Sequence, residues 1–222
     1  MNLLLPLVSV LLGYIIALII RPKRKKNLKL LLAFSGSFLL SLTVIHLLPE
    51  VYEINNSNTG IFIMIGILFQ IILEFFSKGA EHGHVHQHDQ MQKMPWFLFI
   101  SLSLHALLEG FPVSHYSDLA LGIAIHHFPI AIILTSFFLN TNLDKKIIFI
   151  FMITFAIMTP LGTLVSDFFP LLHHYYAEIT AIVIGILFHI SSTIIFESSE
   201  GHKFNIAKVS MIFFGLVLAY FL

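Results

Sequence analysis

No cysteine occurs anywhere in the 222 residues. That excludes disulfides, thiolate metal sites and cysteine nucleophiles at once. Charge is scarce as well: Asp, Glu, Lys and Arg together make up 11% of the chain, against about 25% in an ordinary soluble domain. Hydrophobic residues make up 57%, and the mean hydropathy is +0.91. So little charge would leave far too much apolar surface in water, so the expected solvent is a lipid bilayer. Formal net charge is zero, so the total says nothing about nucleic acid and the placement of the charges says more; no nucleic-acid partner is expected. There is no His-Glu-x-x-His, and no obvious nucleophile with a separate general base, so an enzyme is not expected. The first apolar stretch has neither a basic n-region nor a small-residue cleavage site, and reads as a retained helix rather than a signal peptide. What the chain has in excess is histidine, with thirteen residues.

A spanning helix needs about 20 mostly apolar residues. Eight stretches qualify: Leu3–Ile20, Leu28–Leu48, Gly60–Phe76, Pro95–Val113, Leu119–Leu139, Ile147–Phe168, Ala177–Glu197 and Ile206–Leu222. They predict an all-α integral membrane protein, a single domain over residues 1–222. The connections are short and polar, except that residues 78–94 form a histidine-rich loop containing His82, His84, His86 and His88. Alternating histidines of this kind are a metal-binding tract by composition.

All twelve lysines and arginines fall in the connections, or at the helix ends beside them, between stretches 1 and 2, 3 and 4, 5 and 6, and 7 and 8. Eight alternating spans place them on one face. By the positive-inside rule that face is the cytoplasm, and both termini are extracytoplasmic in a multi-pass protein of the cell membrane. The opposite connections carry Glu53, Asp118, Asp167 and Glu178, with Glu50 nearby and His115, His173 and His174 among them. An acidic mouth of this sort concentrates cations. A faint internal echo accompanies the alternation. Phe38, Ser41, Thr43, Ile45 and Glu50 match Phe188, Ser191, Thr193, Ile195 and Glu200 at an offset of 150 residues, between stretches of opposite direction, as in inverted-topology transporters.

Ionisable residues inside a membrane are costly, by about 2.5–3.5 kcal/mol per charge, and need a reason. The fourth stretch carries His105 and Glu109, four residues apart and therefore on one helical face. The fifth carries His126 and His127, followed by Pro129. His105 and His127 each lie eight residues in from the outer end, roughly 12 Å deep in a core about 30 Å thick. Imidazole and carboxylate at one level, without sulfur, form a borderline donor set. It suits zinc, and also iron, manganese, cobalt or nickel, as the divalent cargo; no prosthetic group is expected. His126 and His127 are adjacent, about 100° apart around the helix, so one of them is free to face elsewhere. Secondary candidates for the pathway are His46 and Glu50, on either side of Pro49, and His189 and Glu197, two turns apart in the seventh stretch. Glu74 closes the third stretch and reads as an interfacial residue.

These residues resemble the ZIP (Zrt/Irt-like) metal-ion transporters over the whole chain. His46-Leu-Leu-Pro-Glu50 is similar to that family's HLLPE, and His105-x-x-x-Glu109-Gly110 to its HNxPEG. His126-His127-Phe-Pro129 resembles the fifth-helix motif, and Thr159-Pro-Leu-Gly162 the sixth. The resemblance implies inverted repeats of helices 1–3 and 6–8 around helices 4 and 5, metal import toward the cytoplasm, and often a homodimer. The chain departs from the pattern at Ala106, Leu108, Ile130 and Thr159, which argues against a second, bridged metal position. The matching positions point to His105, Glu109 and His127, with His126 as a further ligand. Two other readings of the same cluster are an intramembrane metal-dependent hydrolase and a non-transporting metal-sensing relative.

Overall fold

The computed structural model describes residues 2–20, 25–54, 58–77, 92–169, 172, 174–197 and 205–221. Among these residues there is no strand, and eight helical rods account for nearly everything. They are α1 (Leu5–Ile20), α2 (Lys25–Leu42, then Thr43–Leu47, then Leu48–Ile54), α3 (Thr59–Ser77), α4 (Trp96–Gly110), α5 (Ser117–Phe138), α6 (Lys145–Phe168), α7 (Tyr176–Glu197) and α8 (Ile206–Tyr220). Six spans are long and apolar enough to cross a bilayer; α1 and α8 are apolar but shorter. A helix satisfies its own backbone groups, which is what lipid demands. Where the rods begin near water, polar side chains cap them: Asp144 accepts from the Lys146 N–H at 2.8 Å and Asn205 from the Lys208 N–H at 2.9 Å. This is the architecture of a helical membrane protein. The outward faces are greasy, with Ile19, Phe75 and Phe213 all exposed.

Two boundaries differ from the sequence reading. The second stretch was expected to stop ahead of Pro49, but α2 runs on to Ile54. Proline has no N–H to return to the preceding turn, and the helix absorbs the loss by widening into a π turn over Thr43–Leu47. His46 therefore sits inside a widened turn, where its Nε2 meets the Ala219 carbonyl of α8 at 3.1 Å. The fourth stretch is α-helical only to Gly110, and tightens into a 3-10 turn over Phe111–Ser114 around Pro112. Pro129 and Pro160, by contrast, sit inside continuous helices.

Four pairs pack most extensively: α1 with α5, α4 with α6, α3 with α7, and α2 with α8. Their closest contacts use glycine. A Cβ on Gly110 would run into the Thr159 carbonyl, and one on Gly162 into the Leu107 carbonyl, so α4 and α6 meet backbone to backbone. Close approach through small residues is the usual device where lipid supplies no hydrophobic drive between helices. The Thr163 hydroxyl adds a hydrogen bond to the Gly110 carbonyl at 2.8 Å. Apolar side chains form two main clusters. One, with Leu102, Leu134, Phe138 and Phe151, lies toward the lysine-bearing connections. The other, with Leu39, Leu47, Leu119 and Ile123, lies toward the opposite end.

Candidate metal site

Between those two clusters sit the ionisable residues of α4 and α5. On α4 the four-residue spacing stacks His105 above Glu109, and His105 Nε2 lies 3.0 Å from Glu109 Oε1. Across the helix interface His127 donates from Nε2 to Glu109 Oε2 at 2.9 Å. One carboxylate thus spans two imidazoles on two helices. His126 also reaches in: His105, Glu109 and His126 each offer a donor atom within 4.8 Å of the others. All four are shut away from the surface, Glu109 completely and the histidines at 1–2% exposure. The His127 ring rests against Phe155, with centroids 5.0 Å apart, and its Nδ1 is buried without a hydrogen-bond partner among the described residues. Glu109's ion-pair partners are the two histidines, with no lysine or arginine among them.

The structure therefore brings together all four residues that the sequence put at one depth. It also refines their roles. One of the adjacent pair His126 and His127 was expected to be able to face elsewhere; His126 joins His105 and Glu109 in a group of three whose donor atoms lie within 4.8 Å of one another. His127 is held to Glu109. The family-like positions that departed from the motif are apolar in fact: Ala106 and Ile130 lie in the cluster on the lysine side, both essentially unexposed. Thr159 is buried beneath Gly110.

The secondary candidates lie elsewhere. His46 and Glu50 line a cavity of about 680 Å³ at the end away from the lysines, together with Glu53, Tyr116 and Asp118. His189 lies in the lysine-side half of α7 and donates to Glu74 of α3 at 2.5 Å, both side chains about one-quarter exposed. Glu74, read as interfacial, is thus half of an interhelical ion pair. Matching its depth on α3 to that of His189 on α7, as was done for α4 and α5, would have flagged it. The Glu197 side chain lies outside the described residues, as do His82, His84, His86, His88 and His173.

Two imidazoles and a carboxylate in a buried cluster form a three-ligand set of the type that leaves one position open. Nitrogen and oxygen donors without sulfur select borderline divalent ions. The carboxylate gives the pocket a formal charge that a dication can balance, and the apolar walls keep water from competing. No model of a known protein family matches this chain, and no curated protein matches it either.

Proposed function

We propose that this chain carries a divalent transition-metal ion, zinc first, across the membrane toward the cytoplasm. His105, Glu109 and His126 take the ion as ligands, and His127 positions Glu109. The observation that carries the reading is the buried Glu109, bracketed by histidines from two helices with no lysine or arginine beside it among the described residues. A dication is the partner whose arrival turns a costly buried carboxylate into a stable one. The ZIP-like motifs support the same reading, as does the helix packing. A pseudo-two-fold that exchanges α1 with α6, α2 with α7, α3 with α8 and α4 with α5 turns the α1–α5 contact into α6–α4. It likewise turns α3–α7 into α8–α2, and these are the four dominant pairs. Such an inverted repeat needs all eight rods to span, and then places the termini outside and the lysines in the cytoplasm.

The direct test is flux. Purified protein in liposomes should admit Zn²⁺ to an entrapped indicator faster than empty liposomes do. At limiting metal the rate should fall as the outer solution is acidified. The sign follows from competition: imidazole and carboxylate bind metal deprotonated, so protons weaken binding. Liposomes that admit metal no faster than the empty control at any pH would refute the transporter reading.

The orientation has its own test, made clean by the absence of cysteine. In intact cells, Asp118→Cys should react with an impermeant maleimide and Asn142→Cys should not. Both positions are exposed, so reversed labelling means that the chain is inserted the other way.

A further inference from the structure

A second group of imidazoles and carboxylates lies well away from the deep cluster. The last turn of α2, the turn after α4 and the first turns of α7 meet at the end of the bundle away from the lysines. They enclose a cavity of about 440 Å³ lined by Glu50, His115, His174, Tyr176 and Glu178. The donor types are those of the deep site, imidazole and carboxylate, and among the described residues no lysine or arginine lines the cavity.

The way one ring is held points to a ligand there. The His115 ring is held on one nitrogen and one face: its Nδ1 is hydrogen-bonded to Ser114 Oγ at 2.8 Å, and its centroid is 4.1 Å from that of Tyr176. An outer hydrogen bond on one imidazole nitrogen is how proteins aim the other at a metal. Tyr176 is only 8% exposed and its hydroxyl pairs with Thr180 one turn on, so the wall behind the His115 ring is fixed. The donors surround a space rather than a point: among the described residues the deep cluster is the group whose donors lie within 4.8 Å of one another. Glu50 also lines the neighbouring cavity, where His46 lies one turn deeper on α2.

We infer that this cavity is a second binding site for a divalent transition-metal ion, a capture site at the mouth. His115 and His174 with Glu50 and Glu178 hold the ion with part of its water shell, and Glu50 passes it toward His46. An ion that keeps its water binds more weakly than one stripped at the deep cluster, which suits a site that must hand its ion on. The binding stands on this geometry alone; its place on a route rests on the transporter reading.

The test is a Co²⁺ titration of the full chain in nanodiscs, followed by visible absorption, with His82, His84, His86 and His88 changed to serine to remove their donors. Two equivalents are expected, one tight and one weak. Changing His115 and His174 together to alanine should remove the weak equivalent and leave the tight one; both side chains are exposed, so the fold should survive. Glu109→Gln should do the reverse. In Zn²⁺ flux the double variant should raise KM by about tenfold and leave kcat within about twofold of the parent. Retention of the weak equivalent by the double variant overturns the site. Its loss without a change in KM overturns its place on the route. A parent that binds two equivalents but carries no flux sinks the transporter reading and leaves the site standing.

Discussion

Glu109→Gln should bind metal at the deep site at least about 100-fold more weakly than the parent and carry no measurable flux, although it folds. The figure extrapolates from the 10–100-fold cost of losing a mere supporting contact to a ligand. Glutamine keeps the shape of the side chain and can still touch His105 and His127, so packing is nearly unchanged. What it loses is the charge. In a pocket lined by residues at no more than 2% exposure, no solvent screens a dication, and an uncompensated charge there is prohibitive. Glu109→Ala should fail equally. The pair separates a charge requirement from a shape requirement. The measurements are Co²⁺ or Zn²⁺ affinity and liposome flux at matched protein levels, with thermal stability as the control for folding. Flux near the parental rate in both variants would mean that the ion travels somewhere else.

The second large effect should come from a residue with no chemistry of its own. Gly162→Ala places a methyl group against the Leu107 carbonyl, with Gly110 Cα 3.3 Å from the new carbon. A backbone carbonyl cannot swing aside as a side-chain tip can, so α6 must move away from α4. Overpacking of this kind costs about 1–3 kcal/mol, visible as a lower midpoint in thermal unfolding. Because His105 and Glu109 ride on α4 while His126 and His127 ride on α5, displacing α4 also spoils the match between them. Metal affinity should drop by about 10–100-fold, the range seen when ligands lose their support. Gly60→Ala is the internal control: its Cβ would meet only the Tyr52 hydroxyl at 3.6 Å, an ordinary contact, and it should melt and bind like the parent. A Gly162→Ala protein that matches the parent in both assays would show that the two backbones do not meet as described.

Much of the site was legible before the fold was known. The i, i+4 relation of His105 and Glu109 is a property of any helix, and counting residues inward from the two outer ends brought α5 to the same level. What the count could not give is azimuth. His126 and His127 are separated by about 100°, which looks like one residue in and one out. Both come near Glu109 of α4, an outcome set by tertiary packing, in which α5 is held chiefly by α1. The Glu74–His189 pair escaped for a similar reason: α3 and α7 are far apart in sequence, and their adjacency is a fact of packing. Pro49 misled in the opposite way. Proline stops a regular helix, but a π turn lets the chain pass it, and no simple pattern in residues 43–47 announces that choice. The four dominant helix pairs could not be read from the five matched residues of the internal echo, because which helices touch is a matter of packing.

Glu109 already has both oxygens engaged, one toward His105 and one by His127. On the transporter reading proposed above, an arriving ion would have to displace the contacts that Glu109 makes with His105 and His127, and those contacts would re-form when it leaves. Binding would then be an exchange, with the protein acting as a competitor against the proposed cargo. The net affinity is a difference between two strong interactions, so it can be modest even though each ligand is good. Small changes in the internal pairing, such as a shift of His127 alone, should then move affinity and release together. The same pairing gives the empty pocket a stable resting arrangement, so letting go of the ion does not strand a bare carboxylate in the middle of the membrane.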